Sequence, residues 1–210
     1  MKKIILLGLS VVFAATSALA GGKGPKGNNN TVFKVDATSS KLKWVGKKVT
    51  GEHFGYLSFK SGEVTYNGTS VVAGNAVVDM NTMTCTDIEN KEYADKLVGH
   101  LKNGDFFDVE KFQTSEFKLS SVTSIKGAKT GENNCNVKGT LTIKGVSNAI
   151  EFPARVEVNG STLVLRADVT FDRTKFGIKY GSASVIEGIG DKAIHDEVLF
   201  SLALVARTGK

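Results

Sequence analysis

His53, His100 and His195 are the only histidines of the 210-residue chain, and Cys85 and Cys135 are its only cysteines. Imidazoles and thiols are the side chains best suited to acid–base and nucleophilic work near neutral pH. Their spacing, however, matches no known catalytic pattern. The sequence contains no G-x-S-x-G elbow, no H-E-x-x-H, no P-loop and no dinucleotide fingerprint. No cysteine or histidine pair has the short separation of a zinc site. Asp and Glu are spread singly, and His195-Asp196 reads as part of a turn. The residues therefore predict no catalytic group and no metal. One route to an enzyme stays open: His53 and an acid could converge inside a cavity and act on a bound lipid.

The elements that position these residues are strands. Period-two alternation dominates the chain. Leu42, Trp44 and Gly46 alternate with Lys41, Lys43 and Val45; Phe54, Tyr56 and Ser58 alternate with Gly55, Leu57 and Phe59. Similar rows run through residues 137–143, 150–158 and 163–171, and residues 198–206 are apolar on both faces, as in a strand covered on both sides. Asn67-Gly68 and Asn159-Gly160 are two-residue hairpin signals. One segment departs from this period. Tyr93, Ala94, Leu97, Val98 and Leu101 recur at helical spacing over residues 90–101, and Asn103-Gly104 ends that helix. A second helical turn is expected over 108–112. About eight antiparallel strands and one helix, with only 2 prolines, predict an all-β barrel, since closure removes exposed edges.

The chain's start reads as an address. Lys2 and Lys3 precede an apolar run over residues 4–15, and Ala18-Leu19-Ala20 supplies a small-x-small cleavage pattern. Residues 1–20 are thus expected to be a signal peptide cut after Ala20, sending the protein to the periplasm or outside the cell. Residues 21–30 read as a polar, glycine-rich leader and 31–210 as one barrel domain. Removing two lysines lowers the net charge from +6 to +4. Export argues against nucleic acid, as do an arginine complement limited to Arg155, Arg166, Arg173 and Arg207. Cys85 and Cys135 are either two separate buried thiols or a disulfide, which an oxidising compartment favours slightly and which would close a loop worth about 4 kcal/mol in chain-entropy models. Strands plus a signal also fit a small outer-membrane barrel, although the chain ends on Lys210 rather than on an aromatic residue.

A barrel of eight strands either packs its lumen with side chains or keeps one apolar ligand cavity. Alternation does not choose between them. The cavity reading names Trp44, Phe54, Tyr56, Phe59, Leu141 and Phe171 as wall residues. Phe106 and Phe107 either plug one end or line the cavity, and Asp105 is expected to cap a turn. Arg173 is expected to pair with a carboxylate rather than touch a ligand. Nothing in the pattern specifies an oligomeric state.

Three stretches carry a family resemblance. Residues 100–117 read HLKNGDFFDVEKFQTSEF, residues 139–146 read GTLTIKGV, and residues 168–178 read DVTFDRTKFGI. With Phe33-Lys34-Val35-Asp36 they resemble the YceI-like, lipid/polyisoprenoid-binding family across residues 31–207. The resemblance implies a lipocalin-like eight-stranded barrel with one helical insertion, and an apolar cavity for an isoprenoid lipid or quinone. It brings no catalytic residues and no cofactor beyond that lipid, and allows transient contact with a membrane. Departures fall in turns. Gln113 stands where the family often has proline, Ser147-Asn148-Ala149 replaces a Thr-Lys-Pro turn, and His53-Phe54-Gly55 lies near the family's early His-Leu-Gly triplet.

Overall fold

The computed structural model describes residues 30–209, so the signal-peptide and nearly all of the leader assignments lie outside the described residues. The elements are β1 (Thr31–Val35), β2 (Lys41–Lys48), β3 (Gly51–Tyr66), β4 (Val71–Asp79), α1 (Lys91–Lys102), β5 (Thr114–Ser124), β6 (Cys135–Ile143), β7 (Val146–Asn159), β8 (Thr162–Asp172) and β9 (Ile194–Arg207). All pairings between these strands are antiparallel. Each strand from β2 to β9 pairs with the next, and β9 returns to β2, closing an eight-lane meander. The ninth strand adds no lane: β1 pairs with the far end of β3 and the end of β9, continuing the lane of β2.

Asp36 holds the break between β1 and β2. Its carboxylate accepts hydrogen bonds from the Thr38 and Ser39 backbone N–H groups, the Ser39 hydroxyl and Arg207 Nε. The Ser39 hydroxyl, Arg207 and the Ser39 N–H favour the charged form and bring the Asp36 pKa down to about 2. A carboxylate depressed in the folded state contributes stability above its unfolded pKa and loses it as pH falls toward the folded one. The expected result is a loss of stability from about pH 4 down to about 2 that is shallower in Asp36→Asn. Denaturation curves collected across that window check it.

The inner faces carry the core. Phe33, Leu42, Leu57, Phe59, Val137, Ile143, Leu163 and Ala206 are buried there. The outer faces expose Lys118, Lys138, Glu151, Arg166 and Asp168. That distribution is the reverse of a membrane-spanning barrel, whose outward band is apolar and whose interior is polar. The double cover expected for β9 is found on one face only, since outward-facing Leu199, Ala203 and Val205 are half-buried.

The helix forms where its spacing predicts. Asn90 caps it by accepting from the Glu92 and Tyr93 N–H groups, and Asn103 closes it. Ala94 is buried and Leu97 and Leu101 pack on the barrel, whereas Tyr93 stays exposed. The turn expected after it is a single one, closed by the Phe112 N–H donating to Asp108 O at 2.9 Å. Both hairpin signals mark turns, with shifted geometry. The loop at Asn67 spans four residues, and the loop at Asn159 is Gly160-Ser161. Lys144-Gly145 is another two-residue hairpin, both residues at positive φ, and Phe112 packs over Gly145.

Candidate functional site

Among the described residues, an inner cavity and an outer one follow each other along the barrel interior. The inner one runs along the strands, bordered by Ser115 to Val122 on β5 and by Phe200, Leu202 and Leu204 on β9. Seven residue steps of strand span roughly 23 Å. Its volume is about 120 Å³ and only Asn75, Ser115 and Glu116 interrupt an apolar wall. Of these, Ser115 turns its hydroxyl to Met80 Sδ at 3.2 Å, Asn75 Oδ1 accepts from the Glu63 N–H, and Glu116 is exposed. The lumen is thus long, narrow and greasy, with no charged group aimed along it. It suits a slender hydrocarbon, whose burial contributes about 25 cal/mol per Å², and excludes a polar solute.

The second cavity, a vestibule of about 270 Å³, lies at the helix end of the barrel, between the β2–β3 hairpin, α1 and the segment after β8. Leu57 and Phe200 border both cavities, so the vestibule adjoins the lumen. Its floor is apolar: Met83, Leu97, Leu101, Phe106 and Phe107. Phe106, His100 and Tyr180 pack as a three-ring cluster, with centroid distances of 4.9 Å for His100–Phe106, 4.8 Å for His100–Tyr180 and 5.3 Å for Phe106–Tyr180.

All three histidines line this vestibule. His53 Nδ1 lies 2.7 Å from Asp87 Oδ2, and His100 Nε2 lies 3.1 Å from Asp105 Oδ2. Burial alone would raise the Asp87 pKa. Hydrogen bonds from the Phe54 N–H, His53 and Cys85 outweigh it and hold the carboxyl below its usual range. Asp105 pairs with His100 instead of capping a turn; the Asn103 side chain does the capping, accepting from the Asp105 N–H.

Arg173 is 3% exposed and spends all five N–H donors on structure. They reach the carbonyls of Ile178, Tyr180, Ile194 and His195 at 2.9–3.0 Å and Asp196 Oδ1 at 3.3 Å. Asp172 caps the short turn Arg173–Phe176 that carries it, and Gly177 at φ 75° ends that turn. The DRTKFGI stretch is therefore a clamp that holds the wall of the vestibule to the end of β8.

The eight wall residues expected from the sequence divide four ways. Phe59 and Leu141 line the lumen, and Trp44, Phe106 and Phe107 line the vestibule. Trp44 is buried and its Nε1 donates to Thr84 O at 2.9 Å. Phe171 borders neither cavity; it is core, packed on Phe176 and Phe200. Phe54 and Tyr56 point the other way. Tyr56 is 43% exposed, and the Phe54 ring lies outside under Lys43 Nζ, 3.9 Å from its centroid. Parity explains it: residues 54 and 56 cannot share a face with residue 59. The inner face of β3 belongs to Gly55, Leu57 and Phe59. A Cβ at Gly55 would come within 1.9 Å of Thr84 O, which is why the segment after β4 can cross there.

The cysteines are free rather than bridged. Cys85 sits at the helix end, its Sγ 3.3 Å from Asp87 Oδ1. Cys135 opens β6 at the other end, eight residues from Ile143, and a strand advances about 3.3 Å per residue, far beyond the reach of a disulfide. Burial, then the Asp87 hydrogen bond and charge, raises the Cys85 pKa; burial raises that of Cys135. Thiol titration without reductant is expected to find two thiols on denaturation and slow reaction in the native state near neutral pH. A chain with no titratable thiol contradicts the geometry.

Two kinds of feature escape sequence reasoning here. Leu57, Phe117 and Phe200 are lumen residues; parity with Phe59 was the available signal for Leu57, and for Phe117 and Phe200 only the alternation within their own strands. The histidine ring had none, because 47 and 95 residues separate its members in sequence.

A profile described as the YceI-like domain matches residues 33–206. A UPF0312 protein of Vibrio vulnificus is 29% identical over 161 residues, covering 73% of this chain and 72% of that relative. The crystal structure of BcnA from Burkholderia cenocepacia aligns with a TM-score of 0.59 at 26% identity, over 82% of this chain and 99% of the other. A polyisoprenoid binding domain from Saccharophagus degradans aligns equally well, at 14% identity over 85% of this chain and 99% of that one. At that identity the second structure speaks to the fold alone.

Proposed function

The chain belongs to the YceI-like family, and on that premise we propose that it is an exported carrier or reservoir for an isoprenoid lipid, quinone or similar single-chain amphiphile. The observation that carries the reading is the lumen itself. It is narrow, apolar and extended, and it adjoins a vestibule that is polar on one wall. Membership of the YceI-like family supports the same ligand class here. The tail occupies the lumen and the headgroup stays in the vestibule. The periplasm is the destination that the N-terminal pattern implies, and loading there involves transient contact with a membrane. The test is native mass spectrometry of protein recovered from its own compartment by osmotic shock. Co-purifying lipid, released by organic solvent, supports the reading. Protein that stays ligand-free and takes up neither isoprenoid alcohols nor quinones contradicts it.

A second reading is favoured by the His53–Asp87 pair at 2.7 Å, which gives the vestibule one oriented imidazole. In that reading the protein performs acid–base chemistry on the headgroup. Cys85 is a poor nucleophile beside it, since burial, then the Asp87 hydrogen bond and charge, disfavours the thiolate. Recovery of the bound lipid chemically unchanged after long incubation separates a carrier from an enzyme.

A further inference from the structure

The vestibule has an asymmetry that the lumen does not explain. Besides the Tyr180 phenol, its ionisable lining groups are Lys47, Lys48, His53, His100, Arg173 and His195, and no carboxylate joins them among the described residues. The acids nearby stand behind the ring. Asp87 holds His53, Asp105 holds His100 and Asp196 holds Arg173, while Glu52 lies 3.8 Å from Lys47. Each imidazole bound through one nitrogen keeps its other nitrogen for a ligand. Arg173 has no donor to spare, so it shapes the site without binding in it. Lys48 Nζ and the His195 ring make no hydrogen bond or ion pair among the described residues. A cavity rimmed by cations and imidazoles, whose nearby carboxylates pair with that rim instead of lining the cavity, is built to receive negative charge.

Resting on the lipid-holding reading above, we propose that the vestibule binds an oxyanion headgroup, a phosphate or carboxylate, at the end of the chain held in the lumen. Lys48 and His195 supply the contacts that are free of structural duty, and His53 and His100 add donors oriented by their carboxylates. Leu57 and Phe200, shared by both cavities, mark where tail gives way to head. The headgroup is thereby drawn to the rim and the tail to the lumen, which fixes one direction of loading.

The test uses the full folded protein and three probes: a polyprenyl monophosphate, the polyprenol of the same length, and inorganic phosphate. Equilibrium titrations are run on the wild type and on the double variant Lys48→Gln/His195→Gln, with circular dichroism to verify its fold. The proposal expects the monophosphate to bind the wild type at least tenfold tighter than the alcohol. It expects that gap to shrink to within about twofold in the double variant, with alcohol affinity unchanged. Equal binding of the two lipids to the wild type overturns the oxyanion site and leaves the lumen reading standing. A gap that survives in the double variant also overturns it. Inorganic phosphate binding as tightly as the monophosphate overturns the headgroup assignment, because a free ion would then be the ligand. If neither lipid binds at all, both the lumen reading and the proposal fall.

Discussion

Arg173→Met is expected to lower the unfolding free energy by about 3–5 kcal/mol, the range for breaking a buried ion pair by removing one partner. The substitution keeps a long, largely apolar side chain, so the cost comes from lost hydrogen bonds more than from a void. Four carbonyls, those of Ile178, Tyr180, Ile194 and His195, lose a charged donor together, and the Asp196 carboxylate loses its cation. All but Asp196 are on backbone that has no strand partner to take over, except where β9 begins. Arg173→Lys is expected to recover little of the loss. One ammonium with three donors cannot reproduce a planar fork with five. Urea denaturation measures the effect. Hydrogen exchange locates it, with faster exchange expected over residues 177–194 than over β5 to β7. A loss below about 1 kcal/mol would show that the guanidinium is no clamp.

Leu141→Trp is expected to cost lipid affinity far more than stability. Leu141 is 7% exposed and faces the lumen from β6. Overpacking a filled core costs about 1–3 kcal/mol, but here part of the larger ring enters empty space, so the lower end of that range is expected. The ring then occupies the path of the ligand chain. Each 100 Å² of chain surface kept out of the lumen forfeits roughly 2.5 kcal/mol, about sixtyfold in Kd. Tyr56→Ala, on the outer face, serves as the comparison and is expected to leave affinity unchanged. Calorimetric titration with a polyprenol reads both. Equal losses in the two variants would place the ligand outside the lumen.

Much of this architecture was legible in the order of residues. Alternation predicted the meander, helical spacing predicted α1, and Asn90 and Asn103 marked its ends. What the alternation left open was phase. Phe54, Tyr56 and Phe59 looked equally suited to a cavity wall because aromatic type says nothing of which face is inner; the crossing of Thr84 over Gly55 decides it. The cysteines misled for a related reason. An oxidising compartment predicts that thiols pair, but only the barrel's length shows that Cys85 and Cys135 lie near opposite ends. The vestibule was invisible, since His53, His100 and His195 come from a strand, the helix and the start of β9. Topology alone brings them to one rim. The conspicuous DRTKFGI stretch was recognisable as a motif, and its role as a clamp follows from carbonyls five to twenty-two residues downstream of Arg173.

An amphiphile is proposed to lie with its tail in the barrel lumen and its head in the histidine-lined vestibule. A crystal structure of the protein saturated with a polyprenyl monophosphate tests this most directly. Continuous density is expected for the chain between β5 and β9, passing Leu57 and Phe200, with its polar end beside His195 and Lys48. Density for the lipid on the outer face, or with its head toward the Cys135 end, would contradict it.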